Sequence, residues 1–116
     1  MSYKIEVVSS FKRAAKKLQK RYKSFADDIE GFIENLKDNP FQGVDLGGGI
    51  RKIRLAISSK NKGKSGGARV ITHTDVIIET QSGVVTLLTV YDKSDQETIS
   101  DSEIEELLRD AGLISK

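Results

Sequence analysis

The chain has 116 residues, 37% of them apolar and 31% charged, with 19 basic and 17 acidic side chains, one His, one Pro, no Trp and no Cys. That length suits a single domain spanning residues 1–116 with one modest core, and the apolar share excludes wholesale disorder. Without Cys there are no disulfides, thiolate metal sites or Cys nucleophile, and one His cannot build a multi-His metal centre, so no metal and no cofactor are expected.

The elements follow in order from hydrophobic periodicity. Tyr3 to Val8 alternates apolar and charged residues, which predicts a half-buried strand. Ser9 or Ser10 is the expected cap of a helix running to about Lys23, whose apolar positions Phe11, Ala14, Ala15, Leu18 and Tyr22 recur at three- and four-residue steps. A second helix starts near Ser24, carries the stripe Ile29, Phe32, Ile33 and Leu36, and stops at Asn39-Pro40, so the pair forms an antiparallel hairpin. Gly43 and Gly47-Gly48-Gly49 mark a loop. The period then drops to two. Ile50 to Ile57 reads as a strand, Ala68 to Thr80 as another with a kink near Asp75, Gln81-Ser82-Gly83 as a turn, and Val84 to Tyr91 as an apolar central strand. Together these form an antiparallel meander. Ser100-Asp101-Ser102-Glu103 is a capping box that opens a last helix with Ile104, Leu107 and Leu108 inward. No apolar run approaches the roughly 18 residues of a membrane span, and the first residues lack a signal-peptide core. The expectation is a soluble cytoplasmic protein with no membrane partner.

The net charge of +2 hides a segregated pattern. Phe11 to Ser24 holds seven cations and no acid, and Arg51 to Arg69 holds another seven and no acid. Phe25 to Leu46 holds six acids against Lys37, and Asp92 to Asp110 eight against Lys93 and Arg109. Segregation of this kind produces strong local fields at near-zero net charge. For the first block a solvated helix face is explanation enough; the second invites more.

In the strand Ile50 to Ile57, alternation sends Ile53, Leu55 and Ile57 to one face with Arg51 at the strand's start, and Lys52 and Arg54 to the other. Two cations about 7 Å apart on one face repel, and a nearby anion offsets that repulsion. A solvent-facing strand is the bland alternative. The loop Ser58 to Gly67 tilts the balance, because its Lys60, Lys62 and Lys64 alternate with small residues and suit a phosphate backbone. Arg69 opens the next strand, while Tyr91 and Lys93 end the last. In a meander, Lys52, Arg54, Arg69, Tyr91 and Lys93 converge on one sheet face as an anion site. Other motifs fail. Gly63-Lys64-Ser65 imitates the end of a phosphate-binding loop, but Ser58 stands where that motif needs Gly and a strand follows instead of a helix. Asp92, Asp95 and Glu97 lack the turn glycine of a calcium loop. His73 lies mid-strand and reads as structural before catalytic.

The stretch GGGIRKIRLAISSKNKGKSGGARVI followed by VVTLLTVYDKSDQETIS closely resembles the RelE/HigB-like toxins of bacterial type II toxin–antitoxin modules, over Gly47 to Ile99. The resemblance implies an α+β, RelE-like fold: an N-terminal strand and helical hairpin packed on a curved, mostly antiparallel sheet, with a C-terminal helix. It implies a metal-independent endoribonuclease that enters the ribosomal A site and cleaves mRNA there. The 2′-hydroxyl attacks the scissile phosphate and leaves a 2′,3′-cyclic phosphate. Carried over by position, the family's basic residues fall on Lys52 and Arg54, then Arg69, then Lys93. Arg suits the phosphate because it is a permanent, bidentate cation. Lys52, crowded by other cations, is the candidate general base, Arg54 and Arg69 are clamps, and Tyr91 or Lys93 is the candidate acid. Arg51, Lys60, Lys62 and Lys64 would hold RNA backbone. The Tyr or His that some members carry near the C-terminus has no counterpart in Gln96-Glu97-Thr98-Ile99. The partners implied are the ribosome, mRNA and an antitoxin, commonly of the helix-turn-helix type. Two alternatives stand beside this: a ParE-like toxin that inhibits DNA gyrase by protein contact, and a non-catalytic module that only binds RNA or antitoxin. The acidic last helix either completes the core or covers the basic face.

Overall fold

The computed structural model describes residues 2–61 and 63–115, so Lys62 lies outside the described residues. Strand β1 (Ser2–Val7) leads into α1 (Ser9–Arg21) and α2 (Phe25–Asp38). Strands β2 (Val44–Gly47) and β3 (Ile50–Leu55) follow, then a 3-10 turn (Ser58–Lys60), β4 (Ala68–Ile77), β5 (Ser82–Asp92) and α3 (Asp101–Asp110). The sheet order is β1-β5-β4-β3-β2. Strand β1 runs parallel to β5, and every other pair is antiparallel. The α+β architecture with a hairpin, a mostly antiparallel sheet and a last helix is the one expected.

Apolar stripes decide what covers each side of the sheet. Phe11, Leu18, Phe25, Phe32 and Leu36 from the helical hairpin pack with Ile53, Leu55, Val70, Val85, Leu87 and Val90. The opposite side carries a smaller cluster, Ile50, Ile71, Leu88 and Tyr91, closed by Ile104 of α3. A bulge reconciles the two. Ile71 pairs with Thr89 but Thr72 with Leu87, so Leu88 is the extra residue. Leu87 and Val90, three apart, can therefore both face the hairpin while Leu88 and Tyr91 face α3. This irregularity replaces the kink expected near Asp75.

Two further local expectations differ. The cap of α1 is Val8, with no side-chain cap bond, and the Ser10 hydroxyl instead donates to the Leu88 carbonyl at 2.6 Å, tying the helix start to the bulge. The segment expected as loop around Gly43 and Gly47 contains β2, a four-residue edge strand, exposed throughout, that a period-two search cannot see. The capping box is present: the Glu103 N–H donates to the Ser100 hydroxyl oxygen at 3.1 Å.

Candidate nucleic-acid interface

Strand register assembles the basic face. Ile50, Lys52 and Arg54 project to the α3 side of the sheet, opposite Ile53 and Leu55. Arg54 pairs directly with Arg69 on β4, and Arg69 pairs with Tyr91 on β5, giving a row across three strands; Lys52, opposite Ile71, is one step along. Side chains directly opposite each other have Cβ atoms about 5 Å apart, where like charges destabilise the pairing. The two guanidiniums are handled differently. Arg54 is exposed, whereas Arg69 is 6% exposed. Arg69 donates through Nη1 to the carbonyls of Lys64 (3.1 Å) and Ala68 (3.0 Å), and through Nη2 to that of Ser65 (3.1 Å). Those carbonyl dipoles offset its burial and fix its plane. Two of the five N–H groups of a guanidinium remain for an anion.

The Tyr91 hydroxyl is buried and has no hydrogen-bond partner among the described residues. Burial pushes its ionisation above the usual phenol range; Arg69 nearby opposes that and Glu103 adds to it. The phenol therefore stays protonated at neutral pH, a donor without an acceptor beside Arg69. Lys93 follows at the end of β5, its N–H bonded to the Gly67 carbonyl at 3.1 Å. Gly67 sits where β3 leaves no room, since a Cβ there would meet the Leu55 carbonyl oxygen at 2.1 Å. The loop carrying Lys64 is thus pinned at its root by Arg69 and Gly67, with Lys64 itself exposed.

Two residues expected to hold RNA stand elsewhere. Arg51 belongs to the hairpin side of β3 and donates to the carbonyls of Gln42 (2.9 Å) and Gly43 (3.2 Å), so its charge anchors the chain entering β2. Lys60 is a core ion-pair member. Its side chain is 9% exposed and its ammonium lies 2.6 Å from Asp92, whose side chain is 0% exposed. Asp92 also accepts from the Tyr22 hydroxyl, from Arg21 at 3.0 Å and from the Ser94 N–H at 2.9 Å. Burial alone would push its carboxyl up, but Lys60, Tyr22 and Ser94 together hold it well below the usual carboxylate range. Sequence reading missed this node. Its one signal was alternation, which puts Asp92 on the same inward face as Val90 and so demands cations from other elements. No group of His, Cys, Asp or Glu able to hold a metal occurs among the described residues.

Helix α3 lies over the same face, its Ile104 against Ile71 and Tyr91, with Leu107 and Leu108 beside it. The basic row therefore runs along the border of α3, with Tyr91 under it.

Comparison with known proteins settles the family. The profile described as the RelE toxin of the RelE / RelB toxin-antitoxin system matches residues 4–116. The chain belongs to the RelE toxin family. Membership of that family implies an antitoxin partner. Among solved structures, a double arginine-to-alanine mutant of E. coli toxin RelE in the free state superposes with a TM-score of 0.52 at 20% identity, covering 84% of this chain and 90% of that one. At that identity the likeness bears on fold. No curated protein matches. No described helix of this RelE-family chain is long and apolar enough to cross a membrane.

Proposed function

We propose that this RelE-family toxin is a ribosome-dependent mRNA endonuclease of a type II toxin–antitoxin module, acting in the cytoplasm without a metal. The observation that carries the reading is the cross-strand pair Arg54–Arg69 with Lys52 one step away and Tyr91 beside it. A fold gains nothing from placing like charges opposite each other, whereas a phosphate between them gains from both. In the reaction, the 2′-hydroxyl oxygen attacks phosphorus while its proton passes to Lys52, the proposed general base. Arg54 and the two remaining N–H groups of Arg69 stabilise the charge that develops on the nonbridging oxygens. The 5′-oxygen leaves with a proton from Lys93, because the Tyr91 hydroxyl is buried beneath α3, and the product is a 2′,3′-cyclic phosphate. Lys64 grips backbone beside the scissile bond. Lys93 extends the face from the end of β5. The antitoxin is proposed to be of the helix-turn-helix type.

The test is cleavage of mRNA on translating ribosomes, mapped by primer extension. Arg54→Ala and Lys52→Ala are each expected to lower the cleavage rate by about 10²–10³. The double variant Lys52→Ala/Arg69→Ala should abolish both cutting and growth inhibition. Growth inhibition that survives the double variant sinks the nuclease reading and favours a gyrase-directed toxin. Ribosome binding without cuts by the native chain would mark a non-catalytic module.

A further inference from the structure

Helix α1 carries the other basic block, and the nuclease face does not use it. Lys12, Arg13, Lys16, Lys17 and Lys20 are all exposed and make no ion pair among the described residues; within the helix only Arg21 does, with Asp92 and Asp95. The cations recur at four-residue steps, Lys12-Lys16-Lys20 and Arg13-Lys17-Arg21, where like charges repel. Lys12 also sits in the first turn, with no acid there, against the helix dipole. Local repulsion opposes this pattern, and for Lys12, Lys16 and Lys20 no ion pair among the described residues compensates it.

The two rows differ in surroundings. Arg13 and Lys17 line a groove of about 450 Å³ whose far wall is Glu106 and Asp110 of α3. Lys16 and Lys20 are not part of that wall, while Lys12, at the start of the outer row, shares a second groove with Arg13 and Asp110. Lys12, Lys16 and Lys20 span about 12 Å of helix. A nucleic-acid duplex presents one negative charge per about 1.7 Å of axis, so that length faces roughly seven phosphates. A lipid surface fits poorly, because the apolar stripe of α1 is spent on the core, with Phe11 and Leu18 buried. An acidic peptide groove fits poorly too, because the outward face offers no apolar anchor between the cations.

We infer that the outer face of α1 is a second RNA-binding surface, which takes the phosphate backbone of structured RNA. It lies on the hairpin side of the sheet, away from Lys52, Arg54 and Arg69. A short strand held at the basic sheet face does not reach it. Two such surfaces, across a molecule whose shortest extent is 22 Å, suit a protein that docks in a cleft with RNA on both sides. The inference rests on the ribosome-directed reading above and adds where the ribosomal RNA is held.

The experiment uses the full chain and the variant Lys12→Gln/Lys16→Gln/Lys20→Gln, in which Gln preserves helix propensity. Both are titrated against purified small ribosomal subunits and a short RNA duplex over a range of salt. The variant should keep its melting temperature, bind at least tenfold more weakly near physiological salt, and lose about 2–3 from the slope of log affinity against log salt. Its cleavage at saturating protein should match the native rate. Unchanged affinity and slope would overturn the inference, as would polyglutamate binding the native chain as tightly as the duplex does. The outcome separates from that of the nuclease reading. Salt-dependent binding lost in the α1 variant, by a native chain that cuts nothing, supports the inference and ends the nuclease reading. Cutting by the native chain, with the α1 variant indistinguishable from it in binding, does the reverse.

Discussion

At Asp92, burial and ion pairing pull in opposite directions, and pairing wins. The carboxylate is held by Lys60 and Tyr22, so replacing it leaves a nearly buried ammonium without its counter-charge. Asp92→Asn should destabilise the chain by about 3 kcal/mol, read by chemical denaturation at neutral pH. Because the folded-state ionisation lies below the unfolded one, the Asp92 contribution is whole above about pH 4 and is lost as pH falls below that. The native chain should therefore lose more stability between neutrality and pH 3 than Asp92→Asn does, and parallel curves would contradict the assignment. Asp28, held low against its own burial by the Ser58 and Ser24 hydroxyls, loses stability over the same acid range in both proteins. The residue scale also shows what sequence alone could reach. Alternation along β3 was enough to set Lys52 and Arg54 apart from Ile53 and Leu55. It could not show that Arg51 turns back to the carbonyls of Gln42 and Gly43, or that Lys60 answers to the Asp92 carboxylate 32 residues on, because that pairing exists only once the 3-10 turn and the end of β5 have met.

Among elements, α3 has the most consequence for the basic face. It covers Tyr91 without offering its hydroxyl an acceptor, and an unsatisfied buried hydroxyl costs about 1–3 kcal/mol. Ile104 is the buried residue of this helix, with Leu107 and Leu108 partly buried beside it. Ile104→Ala should weaken that contact by about 2 kcal/mol. Amide exchange should then quicken in α3 and not in α1 or α2. The Tyr91 phenol should titrate closer to the ordinary range as burial and Glu103 withdraw, visible as one of three tyrosines shifting in an absorbance titration. The helices were legible from sequence because each buries a stripe at three- and four-residue spacing. The bulge at Leu88 was not, because it is set by the need of two faces at once. Strand β2 escaped notice because neither of its faces is buried.

For the molecule as a whole, the sum of +2 is a cancellation between surfaces. The acids of α3 and α2 make no ion pair with the cations of α1 or β3 among the described residues; Glu34 pairs within α2 and Glu105 within α3. Eight cations, Lys52, Arg54, Lys64, Arg69, Lys93, Lys12, Lys16 and Lys20, are assigned to phosphate on the two surfaces described. Ribosome binding by the native chain should therefore show a log–log salt slope between about −6 and −7. A slope of about −2 or less in magnitude, as the net charge would suggest, would contradict the assignment of both surfaces. The sheet order has a different bearing, on how the chain comes into being. Strand β1 precedes the other strands in the chain, yet among the described residues its one strand partner is β5, with Ser2 opposite Ser82 and Val7 opposite Leu87. Long-range pairing of this kind forms late and slowly. Throughout synthesis of the first eighty or so residues, roughly the span that separates those partners, the N-terminal strand waits unpaired and Arg69 has no Tyr91 beside it. On the nuclease reading proposed above, a nascent chain is unarmed until β5 emerges, which leaves an interval, before the face assembles, in which an antitoxin can be ready.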